Sequence, residues 1–207
     1  MRIIIGSGQA RRTLKLAEYT LTMVGALALG YCLAVLLEAK FYQASVAREF
    51  TRELRLKEGN KAAPVDSIAP VPAPAEHAVV GSLEIPRIAV SVMFVEGVDG
   101  SDLKRAVGHI PGTALPWESG NVGIAGHRDT FFRPLRSIQR DDEITVNTLQ
   151  GAYRYRVVST NVVRPEDIQV LYPTGRDSLT LVTCFPFEYV GSAPKRFIVR
   201  AERAPGI

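Results

Sequence analysis

The chain opens with one long apolar run and continues as many short ones. Residues 19–37 contain no charged side chain. At about 1.5 Å per residue, a helix of this length spans about 28 Å, close to the thickness of a bilayer core. Beyond residue 79 the apolar positions alternate or cluster in short runs between Gly, Pro, Asn and Asp, which is typical of strands. The pattern predicts a membrane helix followed by a mainly β domain.

The flanks of the apolar run indicate a retained membrane anchor. Positions 1–15 hold four basic residues and no acidic one, and positive charge favours the cytoplasmic side. We expect 1–18 to be a cytoplasmic basic segment, 19–37 a single-pass transmembrane signal-anchor, and the rest extracytoplasmic. A cleaved signal peptide is the alternative, but the run is long and LLEAK at 36–40 is a poor cleavage site. A buried core helix is disfavoured because no polar face interrupts the run.

Two segments separate the anchor from the β domain. Residues 38–60 are charged and helix-prone, with an apolar residue at every fourth position of one stripe: Tyr42, Val46, Phe50 and Leu54. We expect a stalk helix, although the stripe could instead pack on the domain or lie at the lipid interface. Residues 61–78 place prolines among alanines, which predicts an extended, semi-rigid linker. His77 at its end is expected to be solvated.

Residues 79–207 are expected to form the folded domain. The strand-like runs are 82–88, 90–95, 121–125, 143–147, 153–159, 178–183 and 196–201. The runs on either side of Gly151 suggest a hairpin, short helical turns are expected after Ser101 and at 129–135, and 108–120 is expected to be loop. Many short strands with regular turn signals predict a closed β-barrel or a sandwich.

Charge and cysteine content reduce the number of possible functions. The net charge of +4 lies entirely in the first 15 residues, since the others hold 21 basic and 21 acidic side chains. The neutral remainder gives no electrostatic argument for nucleic acid binding. Of the two cysteines, Cys32 lies in the apolar run and is interpreted as a small apolar filler. Cys184 is then a free thiol in an exported domain, an unusual state in an oxidising compartment.

Cys184 is the main candidate for chemistry. It ends an apolar, β-branched run that predicts a buried strand, and a lone thiol on such a rigid mount, with a remote His, is a candidate nucleophile. A thiol needs a nearby base or cation, which His127 or, as the competitor, His109 could supply. Arg196 offers a permanently charged fork of donors. Each has a structural alternative: a core filler, a turn residue or a surface charge. No metal, phosphate-loop or dinucleotide motif is present, so no cofactor or metal is expected.

These residues lie in sequences that resemble sortases. TLVTC at 180–184 matches the TLxTC motif of that family, and GHRDTFF at 126–132 with KRF at 195–197 resembles its class D branch. The similarity runs from about residue 81 to about residue 201. The resemblance implies a sortase-type barrel of about eight strands, with a nucleophile, an acid–base group and a cationic stabiliser in the site. These roles fall on Cys184, His127 and Arg196, with Thr183 as a further candidate for the oxyanion site. His109 lacks the family position but lies in a Pro/Gly loop that could line the substrate cleft.

The resemblance also implies a reaction and partners. A sortase cleaves an LPxTG-like sorting signal through a thioester acyl-enzyme and transfers the acyl group to an amine. The implied partners are substrate proteins with that C-terminal signal, an amine acceptor from a cell-wall precursor or protein, and the membrane. One alternative is an L,D-transpeptidase, although the Ser-x-Gly that precedes its Cys is missing here. The other is a catalytically silent, membrane-tethered binding domain.

The chain departs from the family pattern at one turn. Where family members often have Gly-Asp-x-Ile, this sequence has DDEI at 141–144. The missing glycine is expected to alter the turn and to leave the chemistry intact. The three adjacent carboxylates are interpreted as a solvated turn in preference to a calcium site, and Arg128 is expected to pair locally with Asp129.

Overall fold

The computed structural model describes residues 7–59, 71–189 and 191–204, so the first ten residues of the expected linker lie outside the described part. The chain divides into two units, Met1–Phe41 and Tyr42–Ile207. The first unit contains the N-terminal part of helix α1 (Ser7–Gly59), which presents apolar side chains to the surroundings, with Leu14, Leu21 and Leu29 all at least 74% exposed. Among the described residues it is the one helix long and apolar enough to cross a membrane.

The second unit contains a closed barrel of eight strands, as predicted. The strands are β1 (Val79–Ile85), β2 (Val90–Glu96), β3 (Val107–His109), β4 (Asn121–Ala125), β5 (Glu143–Thr148), β6 (Gly151–Val163), β7 (Ser178–Phe185) and β8 (Lys195–Arg203). Helix α2 is Gly100–Arg105, and 3₁₀ turns span Pro86–Ile88, Arg133–Ser137 and Ile168–Leu171. Around the barrel the order is β1-β2-β3-β4-β7-β8-β6-β5, with β5 pairing back to β1. The pairs β2–β3 and β4–β7 are parallel.

The barrel interior holds the hydrophobic core. Leu83, Phe94, Ile124, Leu181 and Val199 are completely buried there. Burying each such side chain contributes about 1.5–3 kcal/mol. Because strand side chains alternate between faces, this inward set also fixes which residues of β7 and β8 point out of the barrel.

Strand β3 was missed by the sequence analysis, which predicted loop for 108–120. It has only three residues, with Gly108 in the middle, and pairs with both β2 and β4. A Cβ at Gly108 would lie 2.0 Å from the carbonyl oxygen of Gly97, so only glycine allows this approach. The strand is therefore specified by its neighbours, because its own residues carry too weak a β pattern.

The apolar stripe of the expected stalk packs on the barrel. Phe50 is 7% exposed, and the other members of the stripe are half-buried. The Gln43 side-chain amide accepts a hydrogen bond from the Met93 backbone N–H (2.8 Å) and donates one to the Arg105 carbonyl (2.6 Å). Part of the segment expected as a stalk thus belongs to the folded unit, because its stripe is apolar enough to be buried there.

The turn at Asp141 shows how the chain replaces the missing glycine. Asp141 adopts a left-handed conformation, with φ of 71°; Asp reaches this region more easily than most side chains. The interpretation of a solvated acidic turn is wrong for Asp142, which is 6% exposed. Its carboxylate accepts hydrogen bonds from Arg87 (Nη2–Oδ2 2.6 Å) and from the Gln139 backbone N–H (2.8 Å). The ion pair with Arg87, 55 residues away in sequence, satisfies the buried charge.

His77 is exposed, as expected, and also makes one tertiary contact. Its Nδ1 lies 2.9 Å from the Asp102 carboxylate, while the side chain keeps 52% of its surface exposed. That hydrogen bond, with the carboxylate's charge, raises the pKa of His77 above its ordinary value. The hydrogen bond between His77 and Asp102 thus links the segment just before β1 to helix α2.

Candidate active site

Cys184 and Arg196 face each other across two neighbouring strands. They are register partners on the antiparallel pair β7–β8, where opposed Cβ atoms typically lie about 4.5–5.5 Å apart. Since Leu179 and Leu181 point into the core, alternation puts Cys184 on the outer face of the barrel. Both members of the pair are half-buried. The thiol is therefore held on a paired strand without being sealed inside the barrel.

The Arg196 guanidinium is partly held by its own loop. Nη1 donates to the carbonyl of Ala193 (3.2 Å) and to that of Lys195 (3.0 Å). Among the described residues, these are the hydrogen bonds that the guanidinium makes, so Nε and Nη2 retain donors for a ligand. Such donors can bind a carbonyl or an oxyanion.

His127 is carried to the same end of the barrel by β4. That strand runs parallel to β7, with Ala125 paired to Val182, and the Gly126 N–H donates to the Val182 carbonyl (3.1 Å). Continuing both chains by two residues brings His127 level with Cys184. The His127 side chain is exposed. The strand pairing thus places all three residues that the sequence singled out at the same end of the barrel.

Gly126 is needed for this geometry. A Cβ at that position would lie 2.7 Å from the Phe132 ring and 2.9 Å from the Val107 side chain. Phe132 is fully buried, and its backbone N–H donates to the His127 carbonyl (3.1 Å). The absence of a side chain at Gly126 therefore lets the turn fold tightly over the core and present His127 outward.

The turn that carries His127, residues 126–132, is called the histidine turn. Thr183 supports this turn through its hydroxyl. Its Oγ1 donates to the Gly126 carbonyl (2.7 Å), and the residue is 2% exposed. By alternation its side chain lies on the opposite face of β7 from Cys184. The hydroxyl is thus committed to the backbone beside His127, and an oxyanion role remains a prediction only for the backbone of Thr183.

His109 is not brought together with the other candidates. It pairs with Ile124, three residues before His127, and is 2% exposed. Its Nδ1 lies 2.7 Å from the Glu96 carboxylate, and its Nε2 lies 3.0 Å from both the Ala114 carbonyl and Thr113 Oγ1.

The His109 ring is surrounded by hydrogen-bonding groups. Thr113 Oγ1 donates its own proton to the Ile110 carbonyl (2.7 Å), so both groups beside Nε2 act as acceptors. The carboxylate of Glu96 accepts at Nδ1. Both ring nitrogens are therefore occupied by a structural network.

Sequence analysis missed the main partners of Arg128. The expected ion pair with Asp129 is present at 3.4 Å, yet Arg128 is 5% exposed and reaches further. Its guanidinium donates to three carbonyls of the β7–β8 loop: Pro186 (2.9 Å), Tyr189 and Gly191 (3.1 Å). These partners are 58 to 63 residues away in sequence, and no local pattern could have indicated them.

The fold and the family comparison together define the class of protein. The sortase-domain family model matches residues 83–204. The chain belongs to the sortase family, whose members are transpeptidases.

Two relatives illustrate the match. Sortase D of Bacillus subtilis (strain 168) is 38% identical over 124 residues, which is 59% of this chain and 63% of that protein. Sortase A of Listeria monocytogenes is 27% identical over 131 residues, 61% of this chain and 57% of the relative. The chain therefore matches somewhat less than two thirds of the length of these proteins.

Solved structures agree on the fold. The Clostridium perfringens sortase D5 transpeptidase superposes with a TM-score of 0.64 at 27% identity, covering 81% of this chain and 99% of that one. Sortase C1 of Streptococcus suis gives a TM-score of 0.59 at 28% identity, covering 63% and 75%. The predicted family and the eight-stranded barrel are confirmed.

Proposed function

We propose that this protein is a membrane-anchored cysteine transpeptidase in which Cys184 is the nucleophile, His127 the acid–base group and Arg196 the oxyanion and substrate ligand. The observation that carries the proposal is the pairing of Cys184 with Arg196 on β7–β8, with His127 following the neighbouring parallel strand. A thiol, an imidazole and a guanidinium at one end of a barrel suit acyl transfer.

The first half-reaction forms a thioester. The thiol proton passes to His127 as Sγ of Cys184 attacks the carbonyl carbon of a Thr–Gly-type bond in an LPxTG-like sorting signal. Arg196 donates hydrogen bonds to the oxygen that becomes negatively charged. His127 then protonates the leaving amine, the C–N bond breaks, and the acyl group stays on sulfur.

The second half-reaction returns the thiol. An amine attacks the thioester carbonyl, His127 removes its proton, and the C–S bond breaks as the new amide forms. The proton then returns to sulfur. Water in place of the amine would give hydrolysis. The acceptor is proposed to be an amine on a cell-wall precursor or a protein, and the acyl donor a protein bearing the signal at its C-terminus.

The proposed location is the cell membrane, with one span and the catalytic domain outside the cytoplasm. The uncharged run at 19–37, the basic residues before it and the exposed apolar side chains of α1 support an anchor with its N-terminus inside. The neutral charge of the remaining chain gives no basis for a nucleic acid partner.

The test uses the full chain in detergent with a quenched LPxTG-like peptide and hydroxylamine as the amine. Wild-type protein should release the peptide's C-terminal fragment and form the hydroxamate, and the acyl-enzyme should carry the mass of the peptide's N-terminal acyl fragment on Cys184. The Cys184→Ala and His127→Ala variants should each lose turnover completely. The matched control is His77→Gln, which changes an exposed histidine and should keep wild-type turnover. Full activity in either active-site variant would overturn the assignment of that residue, and absence of turnover in the wild type would favour a silent binding domain.

A further inference from the structure

The loop that follows the nucleophile strand is held from two sides. On one side Phe187 packs against Phe197 and Phe185, with ring centroids 5.2 and 5.9 Å apart, and both Phe187 and Phe197 pack against the barrel core. On the other side lies the Arg128 guanidinium, 5.8 Å from the centre of the Tyr189 ring. The loop therefore packs on a cluster of aromatic rings on one side and contacts one buried guanidinium on the other.

Arg128 supplies hydrogen-bond donors to loop carbonyls that no neighbouring strand pairs. Carbonyl groups beyond the end of β7 have no strand partner, so their hydrogen-bond donors must come from elsewhere. The planar guanidinium offers donors in several directions at once, and here Nη1 serves Pro186 while Nη2 serves Tyr189 and Gly191. A lysine ammonium could not match three such separated acceptors.

The same loop carries groups on both sides of the candidate site. Pro186 lies two residues after Cys184, while the Ala193 carbonyl further along accepts from Nη1 of Arg196. Arg128 itself directly follows His127 in the chain. One guanidinium thus connects the histidine turn to the loop whose two ends hold the thiol and the second arginine.

We propose that Arg128 is a positioning residue that locks the β7–β8 loop to the histidine turn and so fixes His127, Cys184 and Arg196 relative to one another. The effect on catalysis rests on the proposed function. The lock itself, meaning the hydrogen bonds from Arg128 to the loop carbonyls, is a property of the fold. Arg128 does not touch the reacting atoms. It acts through the loop backbone, and its removal should loosen the loop first and slow turnover as a consequence.

The test compares Arg128→Gln and Arg128→Lys with a matched control, Arg136→Gln, which changes an exposed arginine on the neighbouring 3₁₀ turn. All are made in the full chain with Cys32→Ser, so that Cys184 is the only thiol. Amide hydrogen exchange is measured across residues 187–191. Turnover is expressed per Cys184 that is acylated in the first turnover, so that a misfolded fraction does not lower the apparent kcat.

Arg128→Gln is expected to speed exchange in the loop at least tenfold and to lower kcat at least tenfold, with KM changing less than threefold. Arg128→Lys should recover part of both, and Arg136→Gln should match wild type. If Arg128→Gln does not fold, the lysine variant alone decides between the outcomes. Unchanged exchange would overturn the lock whatever the activity, and faster exchange with unchanged kcat would overturn the positioning role. Absence of turnover in the wild type would instead refute the proposed function and leave the exchange result valid.

Discussion

Cys184 and Arg196 are register partners on β7 and β8, so strand pairing fixes the distance between their backbones. The spacing of the thiol and the guanidinium therefore depends on ladder hydrogen bonds, which are among the least mobile contacts in a small barrel. A side chain substituted at either position would occupy the same place relative to the other. Substitutions there consequently test chemistry with little change of geometry.

Replacing Arg196 by lysine should keep the positive charge and lose the planar fork. We expect kcat to fall by about 10²–10³-fold, the usual effect of losing an oxyanion donor, while the fold is retained. The measurement is steady-state cleavage of the quenched peptide. Lys195→Gln, on the exposed neighbouring position, is the control and should leave kcat within twofold of wild type. A fully active lysine variant would show that charge alone suffices.

Thr183→Val should reveal what the threonine hydroxyl does. The substitution keeps the shape but leaves the Gly126 carbonyl without its donor, which should cost about 1–3 kcal/mol of unfolding free energy. Urea unfolding of residues 42–207 measures the change, and Thr183→Ser should stay near wild type because it keeps the hydroxyl. A slower enzyme of unchanged stability would instead assign the hydroxyl to the reaction.

Asp141→Gly should stabilise the protein. A side chain in the left-handed region costs roughly 1–2 kcal/mol, less for Asp, and glycine removes that cost while adding flexibility to the unfolded chain. We expect a net gain of about 0.5 kcal/mol in urea unfolding. Asp141→Ala should lose stability, because it keeps the Cβ without a polar side chain that can bond locally. A glycine variant less stable than wild type would mean that the Asp141 side chain makes a compensating contact.

The Arg87–Asp142 pair should make stability sensitive to acid. The hydrogen bond from Arg87, opposed by burial and helped by the Gln139 N–H, lowers the pKa of Asp142. A lowered pKa in the folded state means that the unfolded state binds the proton more readily. The contribution is therefore fully present above about pH 4, the ordinary value for an unfolded Asp, and is lost as the pH falls through the folded pKa.

The Asp142→Asn variant should accordingly be less stable at neutral pH and lose less stability on acidification. Unfolding free energies measured from pH 6 to pH 2 test this, with Glu166→Gln as the control because that carboxylate is exposed. Parallel pH curves for Asp142→Asn and wild type would show that the pair contributes nothing to acid sensitivity.

Soluble fragments should differ in stability according to where they begin. A fragment starting at residue 79 lacks Gln43 and Phe50, which leaves the Met93 N–H and the Arg105 carbonyl without those partners. Two lost hydrogen bonds at about 1 kcal/mol each and one exposed aromatic contact of about 2 kcal/mol predict a deficit of about 4 kcal/mol relative to 42–207. Equal urea midpoints and slopes for the two fragments would show that residues 42–59 add nothing to the stability of the barrel. Gln43→Ala in the longer fragment should lose only the hydrogen-bond part.

The sequence was most informative where local pattern and physics coincide. The run ending at Cys184 is apolar and rich in β-branched residues, so the buried strand that carries the thiol could be predicted. His127 and Arg196 could be proposed as its partners because they flank other strand-like runs in sequences that resemble one family. What could not be predicted depends on register between distant strands. The carbonyl ligands of Arg128, the Arg87 partner of Asp142 and the bond from Thr183 to Gly126 all belong to this class.

Two predictions that the structure contradicts were wrong for the same reason. His109 was placed in a loop and Asp142 in a solvated turn because each is a polar residue among Pro, Gly or other acids. In the fold both are buried, and each is satisfied by a charged partner on another element, Glu96 or Arg87. Burial of a polar residue depends on whether the tertiary structure supplies that partner, and a single local sequence does not record it.

The turn that carries the imidazole differs in kind from the strands that carry the other two groups. Cys184 and Arg196 are anchored by cross-strand pairing, whereas His127 lies beyond the last paired residue of β4. Under the proposed mechanism the imidazole must serve a departing amine and then an arriving one, which need not occupy the same point. Because the His127 side chain is exposed, its imidazole can rotate about its own side-chain bonds to serve both amines while the turn backbone stays fixed. The paired strands meanwhile keep sulfur and guanidinium at a constant position relative to the acyl carbon.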